Sequence, residues 1–452
     1  MTIDIARSTI RTVASLAAVA IVAGSLQAAG CRPGDRVAFC LGSSAALLCA
    51  VLGALRVGIV PVLLNATLTG PERDVLVDDA DPRIVITDED ALARLDWGTP
   101  AVLADHPRGR PMHYTSGTTG RAKGVWSGLW DASTAAAALA DEARLWDFGP
   151  GDVHLVCSPM YHSVSIRFAG GTLLAGGSCV VLDHFEAGAA AAALEGANGP
   201  TPTTTFVAPA ALTRLLAVPD VPPERFGALR LLVHAGSPCP PALKRAALGV
   251  TGPGVVWEFY GSTEGQFTVC PPDRWLERPG TVGRARPGRQ VTVDADGIVW
   301  CRPPAFARFA YWRDEAKTAA AWRNGAFTVG DLGRLDEDGY LFLDGRRDDL
   351  VISGGVNVYP AEVEATLADA PGVEEVAVFG LPDERWGQRV CAAVVPVPGA
   401  DAERVLAAVA EHAATHLAGY KRPKQYEVTA ALPRTATGKV RRLQLPGELG
   451  LE

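Results

Sequence analysis

Tyr114–Gly124 reads Y-T-S-G-T-T-G-R-A-K-G, eleven residues that hold three glycines, three threonines, a serine and a lysine. Backbone N–H groups at Gly117 and Gly120, the hydroxyls of Thr115, Ser116, Thr118 and Thr119, and the Lys123 ammonium form a dense donor set for a polyanion. The spacing is G-x-x-G-x-x-K. It lacks the adjacent Gly-Lys-Ser/Thr of the Walker loop, which argues against a P-loop kinase or GTPase. Read alone, the run fits either a phosphate cradle or a flexible Gly/Thr-rich linker. What flanks it decides between them.

Outward from this run the chain alternates between strand and helix patterns. V-A-F-C-L from Val37 reads as a buried strand, Ala45 to Val57 as an Ala/Leu-rich helix, and I-V-P-V-L-L-N from Ile59 as a strand. A helix from Arg73 to Asp79 and the strand R-I-V-I-T follow, and Asp88 to Arg110 reads as polar connection. Beyond the loop come a helix from Asp131 to Leu145, the strand V-H-L-V-C-S-P-M, a small-residue helix from Gly170 to Ala175 and the strand C-V-V-L. Ala187 to Ala193 reads as a surface helix, and Thr205 to Leu216 as a strand plus helix. This βαβ grammar implies parallel sheets covered on both faces. L-R-L-L-V-H-A-G-S and V-V-W-E-F-Y-G-S-T-E-G are apolar strands that stop in small polar residues, and such strand ends are where open α/β sheets place ligands. From about Thr281 short strands and turns take over, and the charged G-R-R-D-D-L at Gly345–Leu350 reads as a domain boundary. The remainder suffices for a small α+β domain.

The 452 residues allow about three average domains, or one large multi-lobed domain and a small one. A chain that is 48% hydrophobic and 20% charged, with 48 glycines and 33 prolines, is globular and turn-rich, which excludes disorder and a helical bundle. The formal charge of −8 argues against a general nucleic-acid surface, which needs a dominant basic face. Nine scattered cysteines without a C-x-x-C pair fit a reducing cytoplasm. Thr12 to Cys31 has the outline of an export signal. An Ala-rich amphipathic helix ending at Gly30 explains it without secretion, and it is too short and weakly apolar to read as a membrane span.

Five segments then occur in a recognisable order: Y-T-S-G-T-T-G-R-A-K-G, Y-G-S-T-E-G at Tyr260–Gly265, T-V-G-D-L-G-R-L-D-E-D-G-Y-L at Thr328–Leu341, G-R-R-D-D-L-V-I-S-G-G-V-N-V-Y-P-A-E-V-E at Gly345–Glu364, and P-R-T-A-T-G-K at Pro433–Lys439. In these the chain resembles an acyl-CoA synthetase of the adenylate-forming superfamily, which also contains firefly luciferase and peptide-synthetase adenylation domains. The resemblance implies a luciferase-like α/β fold: a large N-terminal domain (1–347) with doubly wound sheets and a β-rich lobe, then a small mobile α+β domain (348–452) hinged near Asp348.

It also implies a two-step reaction, in which a carboxylate attacks the α-phosphate of ATP with release of pyrophosphate and the CoA thiol then attacks the acyl adenylate. Thr115, Ser116, Gly117, Thr118, Thr119, Gly120 and Lys123 would wrap the β- and γ-phosphates. Glu264 would hold Mg²⁺ and Thr263 a phosphate oxygen. Tyr260, beside Gly261, would stack on adenine against a wall of Ala235, Gly236 and Ser237. Asp331 would bind the ribose hydroxyls, and Arg346 would support ribose or phosphate. Lys439 would meet charge developing on the α-phosphate and carboxylate. Gly354 and Gly355 would let the pantetheine arm pass close to backbone, and Lys421 or Arg422 would meet the nucleotide phosphates of CoA. His162 reads either as a gate to the acyl site or as a satisfied strand-end histidine. Arg167 reads as a surface arginine or as the partner of a second substrate carboxylate.

The chain departs from the family at Ser165, where relatives carry glycine, at Ala122 in place of proline, and in a shortened N-terminal region that admits a homodimer or a specialised partner. The acyl wall expected from His162–Phe168, Ala235–Ser237 and Phe259–Phe267 suits a mainly apolar, bulky acid, whether aryl, alicyclic or medium-chain. Two other readings stand beside the acid:CoA ligase: an enzyme that loads a carrier-protein pantetheine or performs one half-reaction, and a catalytically silent scaffold of the same fold.

Overall fold

In the computed structural model, residues 7–115, 122–197, 199–219, 223–346, 349–353, 356–383, 386–434 and 440–451 are described. They divide into two compact units, Met1–Val291 with Cys301–Phe327, and Thr292–Trp300 with Thr328–Glu452. Arg347 and Asp348, where the hinge was expected, lie outside the described residues.

The strands that build the first unit's two large sheets are, in chain order, β1 (Arg7–Arg11), β2 (Arg36–Phe39), β3 (Val60–Leu63), β4 (Ile84–Ile86), β5 (Met112–Thr115), β6 (Lys123–Trp126), β7 (Val153–Val156), β8 (Ser178–Leu182), β9 (Thr204–Phe206), β10 (Leu231–His234), β11 (Val256–Gly261), β12 (Gln266–Cys270) and β13 (Arg284–Ala285). One sheet runs β6-β5-β3-β2-β4 with the short strand Ala310–Tyr311 outside β6. The pairs among β5, β3, β2 and β4 are parallel, whereas β6 is antiparallel to both its neighbours. The other runs β1-β8-β7-β9-β10-β11-β12-β13, parallel from β8 to β11 and antiparallel at both margins. Long apolar runs with intervening helices therefore produce the parallel interiors that the alternation implies.

Helix Thr12–Ala28 buries Val19, Val22, Ala23 and Leu26, spaced i, i+3, i+4, i+7. This stripe meets helix Ala45–Arg56, whose Ser44 cap accepts the Leu47 N–H at 3.1 Å. Each fully buried Val or Leu contributes about 1.5–3 kcal/mol. The two helices pack so closely that a Cβ at Gly53 would lie 2.6 Å from the Val19 carbonyl oxygen, so Gly53→Ala forces them apart.

Three local expectations need correction. The stretch Asp88–Arg110 is not all connection: Asp88 accepts the Ala91 N–H at 2.7 Å and starts helix Glu89–Ala93. The small-residue helix begins earlier, at Ser163, and runs to Leu174. Helix Ala187–Leu194 is not at the surface, since Ala190, Ala191 and Leu194 are buried among Leu155, Val180 and Leu212. The stretch A-G-A-A-A-A-A-L has no polar face to mark its exposed side, so periodicity could not place it.

The second unit is α+β. Val373–Asp383 and Gly387–Pro396 form a long antiparallel ribbon, and Gly387–Pro396 also pairs with Val351–Ser353 at Gly387 and with a parallel strand, Gln425–Val428, at Cys391–Val394. Helices Pro360–Leu367 and Ala402–His416 contribute Val363, Leu367, Val405 and Val409 to a core with Val390 and Val394. Arg442 ties Glu364 (2.7 Å) to Asp349 (2.9 Å). The hairpin of Asp331–Leu335 and Leu341–Arg346 belongs to this unit too.

Candidate functional site

The glycine-rich run joins β5 to β6 as a hairpin, with Thr115 opposite Lys123 at its mouth. Ser116, Gly117, Thr118, Thr119 and Gly120 lie outside the described residues. The neighbouring strand Ala310–Tyr311 pairs Tyr311 with Val125 and so carries a phenol up to the loop. Lys123 Nζ stands 4.9 Å from the centre of the Tyr311 ring, a cation–π arrangement. The Tyr311 hydroxyl donates to Glu264 Oε1 at 2.9 Å. Burial first, then the Glu264 charge and hydrogen bond, push the Tyr311 phenol well above the usual tyrosine range, so it remains a proton donor. The loop lysine and the carboxylate of the second motif are thus linked through a residue the sequence reading missed. Its only sequence cue was the aromatic pair Tyr311-Trp312 between turns.

Glu264 projects from the turn between β11 and β12. Ser262 N–H donates to the Gly265 carbonyl at 2.9 Å, and the register slips between Tyr260 and Gly261. Both glycines are sterically required. A Cβ at Gly261 would lie 2.7 Å from the Gly265 oxygen, and one at Gly265 would lie 2.8 Å from the Phe327 ring. Glu264 is only 6% exposed and Thr263 lines an adjoining cavity. Tyr260 is 9% exposed, with its ring 4.9 Å from that of Phe267. β10 and β11 are parallel neighbours, His234 opposite Glu258, so Ala235, Gly236 and Ser237 follow one strand end beside the end that leads to Glu264. Gly236 has φ of +95°, a left-handed conformation that favours glycine.

The cavity, of about 180 Å³, lies between helices Ala132–Trp146 and Ser163–Leu174 and reaches Ser262, Thr263 and Gln266. Leu52, Leu55, Trp130, Ile166, Leu174 and Phe306 supply apolar wall. Four arginines, Arg110, Arg167, Arg286 and Arg289, also line it, with Asp141 and Glu142. The expected acyl wall is split between cavity and core. Ser163, Ile166, Arg167 and Gln266 face the cavity, whereas Phe168, Ala235 and Phe259 are packed with Trp146, Phe148 and Phe206. Arg167 is half-buried rather than a free surface arginine: its side chain keeps 26% exposure, but Nε and Nη2 are sealed and its guanidinium lies 4.9 Å from the Phe259 ring centre.

His162 precedes helix Ser163–Leu174, its ring 4.3 Å from that of Tyr161. His113, which lines the cavity, shares a 2.8 Å hydrogen bond with the Tyr161 carbonyl through Nδ1 and is pushed down to about 4 by burial. Among the described residues no group of three or more His, Cys, Asp or Glu side chains forms a metal cage. A lone carboxylate with a hydroxyl neighbour, as at Glu264 and Thr263, still fits a hard cation that keeps most of its waters.

In the second unit the hairpin register sets Asp331 directly opposite Arg346. Gly330, at φ +82°, turns the chain into that strand. The Lys421 ammonium is hydrogen-bonded to Glu362. Gly354, Gly355 and Lys439 lie outside the described residues.

Comparison with known proteins bears on the whole length. Residues 14–111 and 111–300 match the AMP-binding enzyme family, and 362–439 its C-terminal domain. The chain is 31% identical to indoleacetate–CoA ligase of Aromatoleum aromaticum, over 93% of this chain and 89% of that protein. It is 32% identical to the fatty acid–[acyl-carrier-protein] ligase ScoC of Streptomyces coeruleorubidus, over 94% and 88%. The ATP-bound crystal structure of MatB from Rhodopseudomonas palustris superposes with a TM-score of 0.83 at 32% identity, over 96% of this chain and 92% of that one. Among the described residues no helix is long and apolar enough to cross a membrane.

Proposed function

The chain belongs to the AMP-binding enzyme family, and we propose that it is an AMP-forming acid:CoA ligase that activates an acid with an apolar, bulky body. The observation that carries this is the Lys123–Tyr311–Glu264 chain beside a cavity whose wall includes Thr263. It sets a cation and a carboxylate at two stations that Tyr311 keeps apart.

In the first half-reaction a substrate carboxylate oxygen bonds to the α-phosphorus of ATP as the bond to the pyrophosphate oxygen breaks. Charge accumulates on the phosphates, and positioned donors lower that barrier. Thr115, Ser116, Gly117, Thr118, Thr119, Gly120 and Lys123 hold the departing pyrophosphate. Glu264 would hold Mg²⁺, which when bound spreads the phosphate charge. Lys439 meets the charge on the α-phosphate and the attacking carboxylate. Asp331 and Arg346 take the ribose, while Tyr260 with Ala235, Gly236 and Ser237 takes the adenine. In the second half-reaction a movement hinged at Asp348 admits the CoA thiol past Gly354 and Gly355, with Lys421 freed from Glu362 to meet the nucleotide end of CoA. The thiol sulfur bonds to the acyl carbon, AMP leaves and the thiol proton passes to solvent. His162 borders the acyl entrance. The reaction takes place in the cytoplasm, where the scattered cysteines stay reduced.

Leu52, Leu55, Ile166 and Phe306 in the cavity wall support the apolar substrate body. A carrier-protein pantetheine is the second acceptor to consider, because ScoC is named for that acceptor. Pyrophosphate release with a panel of acids, followed by thioester formation with CoA and with a holo carrier protein in parallel, tests the reading. Lys439→Ala should abolish most adenylate formation, and unchanged adenylate formation in that variant would remove the mechanism assigned here.

A further inference from the structure

We propose that the arginine-lined cavity receives a second carboxylate of the substrate, so that the preferred acids are dicarboxylates with an apolar body between the two groups. The inference rests on the acid-activating reading above. It starts from donors left without acceptors. Arg110 Nη2, Arg167 Nε and Nη2, Arg286 Nε and Arg289 Nε are all sealed from solvent with no hydrogen-bond partner. Four guanidiniums face the carboxylates of Asp141 and Glu142, and with Glu264 within electrostatic reach of Arg110 a positive charge still remains in excess.

The two acids are already spoken for by the other two arginines. Asp141 binds Arg286 at 2.6 Å and Arg289 at 2.8 Å, and Glu142 binds Arg286 at 3.0 Å. Glu142 also accepts from Trp146 Nε1 at 3.1 Å and stands 3.6 Å from Arg167, beyond hydrogen-bonding distance. Arg167 keeps only this long ion pair and no hydrogen bond at Nε or Nη2, and Arg110 Nη2 has no acceptor either, so these two are the least satisfied of the four; burial followed by the charge of Arg167 depresses Arg110 to about 10. Buried charged donors without acceptors are unfavourable, and one carboxylate between two guanidiniums is the chemistry that resolves them. The aromatic faces of Phe168 and Phe259, 5.5 and 4.9 Å from the Arg167 guanidinium, hold it in place. A volume of about 180 Å³ is comparable with the ~150 Å³ apolar cavities that take up benzene, so roughly one ring or a short alkyl chain fits between the ends.

Matched acids test this: hexanoate against adipate, and 3-phenylpropanoate against its carboxyphenyl counterpart, each in a pyrophosphate-release assay with ATP and CoA. Wild-type kcat/KM should favour the diacid of a fitting pair by at least about 100-fold, as buried polar groups left unpaired reject the analogue. Arg167→Met and Arg110→Met should raise the diacid KM and bring the diacid-to-monoacid ratio towards one, with Arg167→Lys restoring part of the preference. ATP-dependent thermal stabilisation checks that each variant remains folded. Monoacids preferred by the wild type, or both acids losing equally in the folded variants, would overturn the inference and leave acid activation standing. Pyrophosphate release with no acid of either kind would overturn the underlying reading instead.

Discussion

Two lysine–glutamate pairs in the first unit use the same charges in opposite ways. Lys244 and Glu258 are buried beneath β10 and β11, in direct hydrogen-bonded contact, with His234 Nε2 3.9 Å from the carboxylate and the Trp275 ring 5.0 Å from the ammonium. Glu264, a few residues beyond β11, and Lys123, at the start of β6 in the other sheet, are held apart by Tyr311. In the first pair each charge neutralises the other within the core. In the second, the tyrosine takes one glutamate oxygen and one face of the lysine's surroundings, and each group keeps capacity for a ligand. Contact makes an ion pair structural; separation by a ring makes it a site.

The largest effect should come from breaking the closed pair. Lys244→Met strands a buried carboxylate and should lower unfolding free energy by about 3–5 kcal/mol, whereas Lys244→Met with Glu258→Leu should recover most of it. Denaturant unfolding measures both, and a double variant as unstable as the single one would contradict a self-contained pair. Breaking the open pair should spare the fold and cost catalysis. Glu264→Gln should reduce pyrophosphate release by about 10²–10³-fold, the scale seen when one positioned electrostatic group is lost, with unfolding free energy shifted by less than ~1 kcal/mol.

Acid sharpens the comparison because each region has a buried histidine. His113, beside the cavity, is depressed to about 4, and His234, beside the closed pair, lies well below 6.5; burial is the first cause in both. A depressed folded pKa means that the unfolded chain binds the proton first. The stability associated with the neutral ring is complete above the unfolded value near 6.5 and is lost as pH falls towards the folded value. For His113 this amounts to about 2 kcal/mol between pH 6.5 and 5, so His113→Gln should flatten that part of the stability profile. The smallest effect is expected from Tyr311→Phe. It removes one hydrogen bond of about 1–1.5 kcal/mol while keeping the ring under Lys123, so activity should drop roughly tenfold. No change would show that the ring alone spaces the two charges.

The parts of this site legible in the sequence are those fixed by local chemistry. Gly261 and Gly265 must be glycine because the turn carrying Glu264 brings backbone and the Phe327 ring within 2.7–2.8 Å of where a Cβ would sit. That demand leaves its mark as Y-G-S-T-E-G. The strand ends after His234 and Tyr260 were readable for a similar reason, since apolar runs stop where the backbone must turn. Tyr311 was not readable, because only the pairing of Ala310–Tyr311 with β6 brings it to Lys123. The arginine cavity was hidden still further. Arg110, Arg167 and Arg286 come from segments far apart in the chain, and each resembles an ordinary surface residue until helices Ala132–Trp146 and Ser163–Leu174 enclose them. Even Arg167 reads in the sequence either as a surface arginine or as the partner of a second substrate carboxylate, because burial is set by packing partners that the sequence around it does not name.

The most direct test of the central claim is product analysis of one turnover with ATP, CoA and a panel of mono- and dicarboxylic acids. Acid-dependent formation of AMP, pyrophosphate and acyl-CoA in equal amounts is expected. Formation of ADP and inorganic phosphate in their place, or nucleotide cleavage that does not depend on the acid, would contradict it.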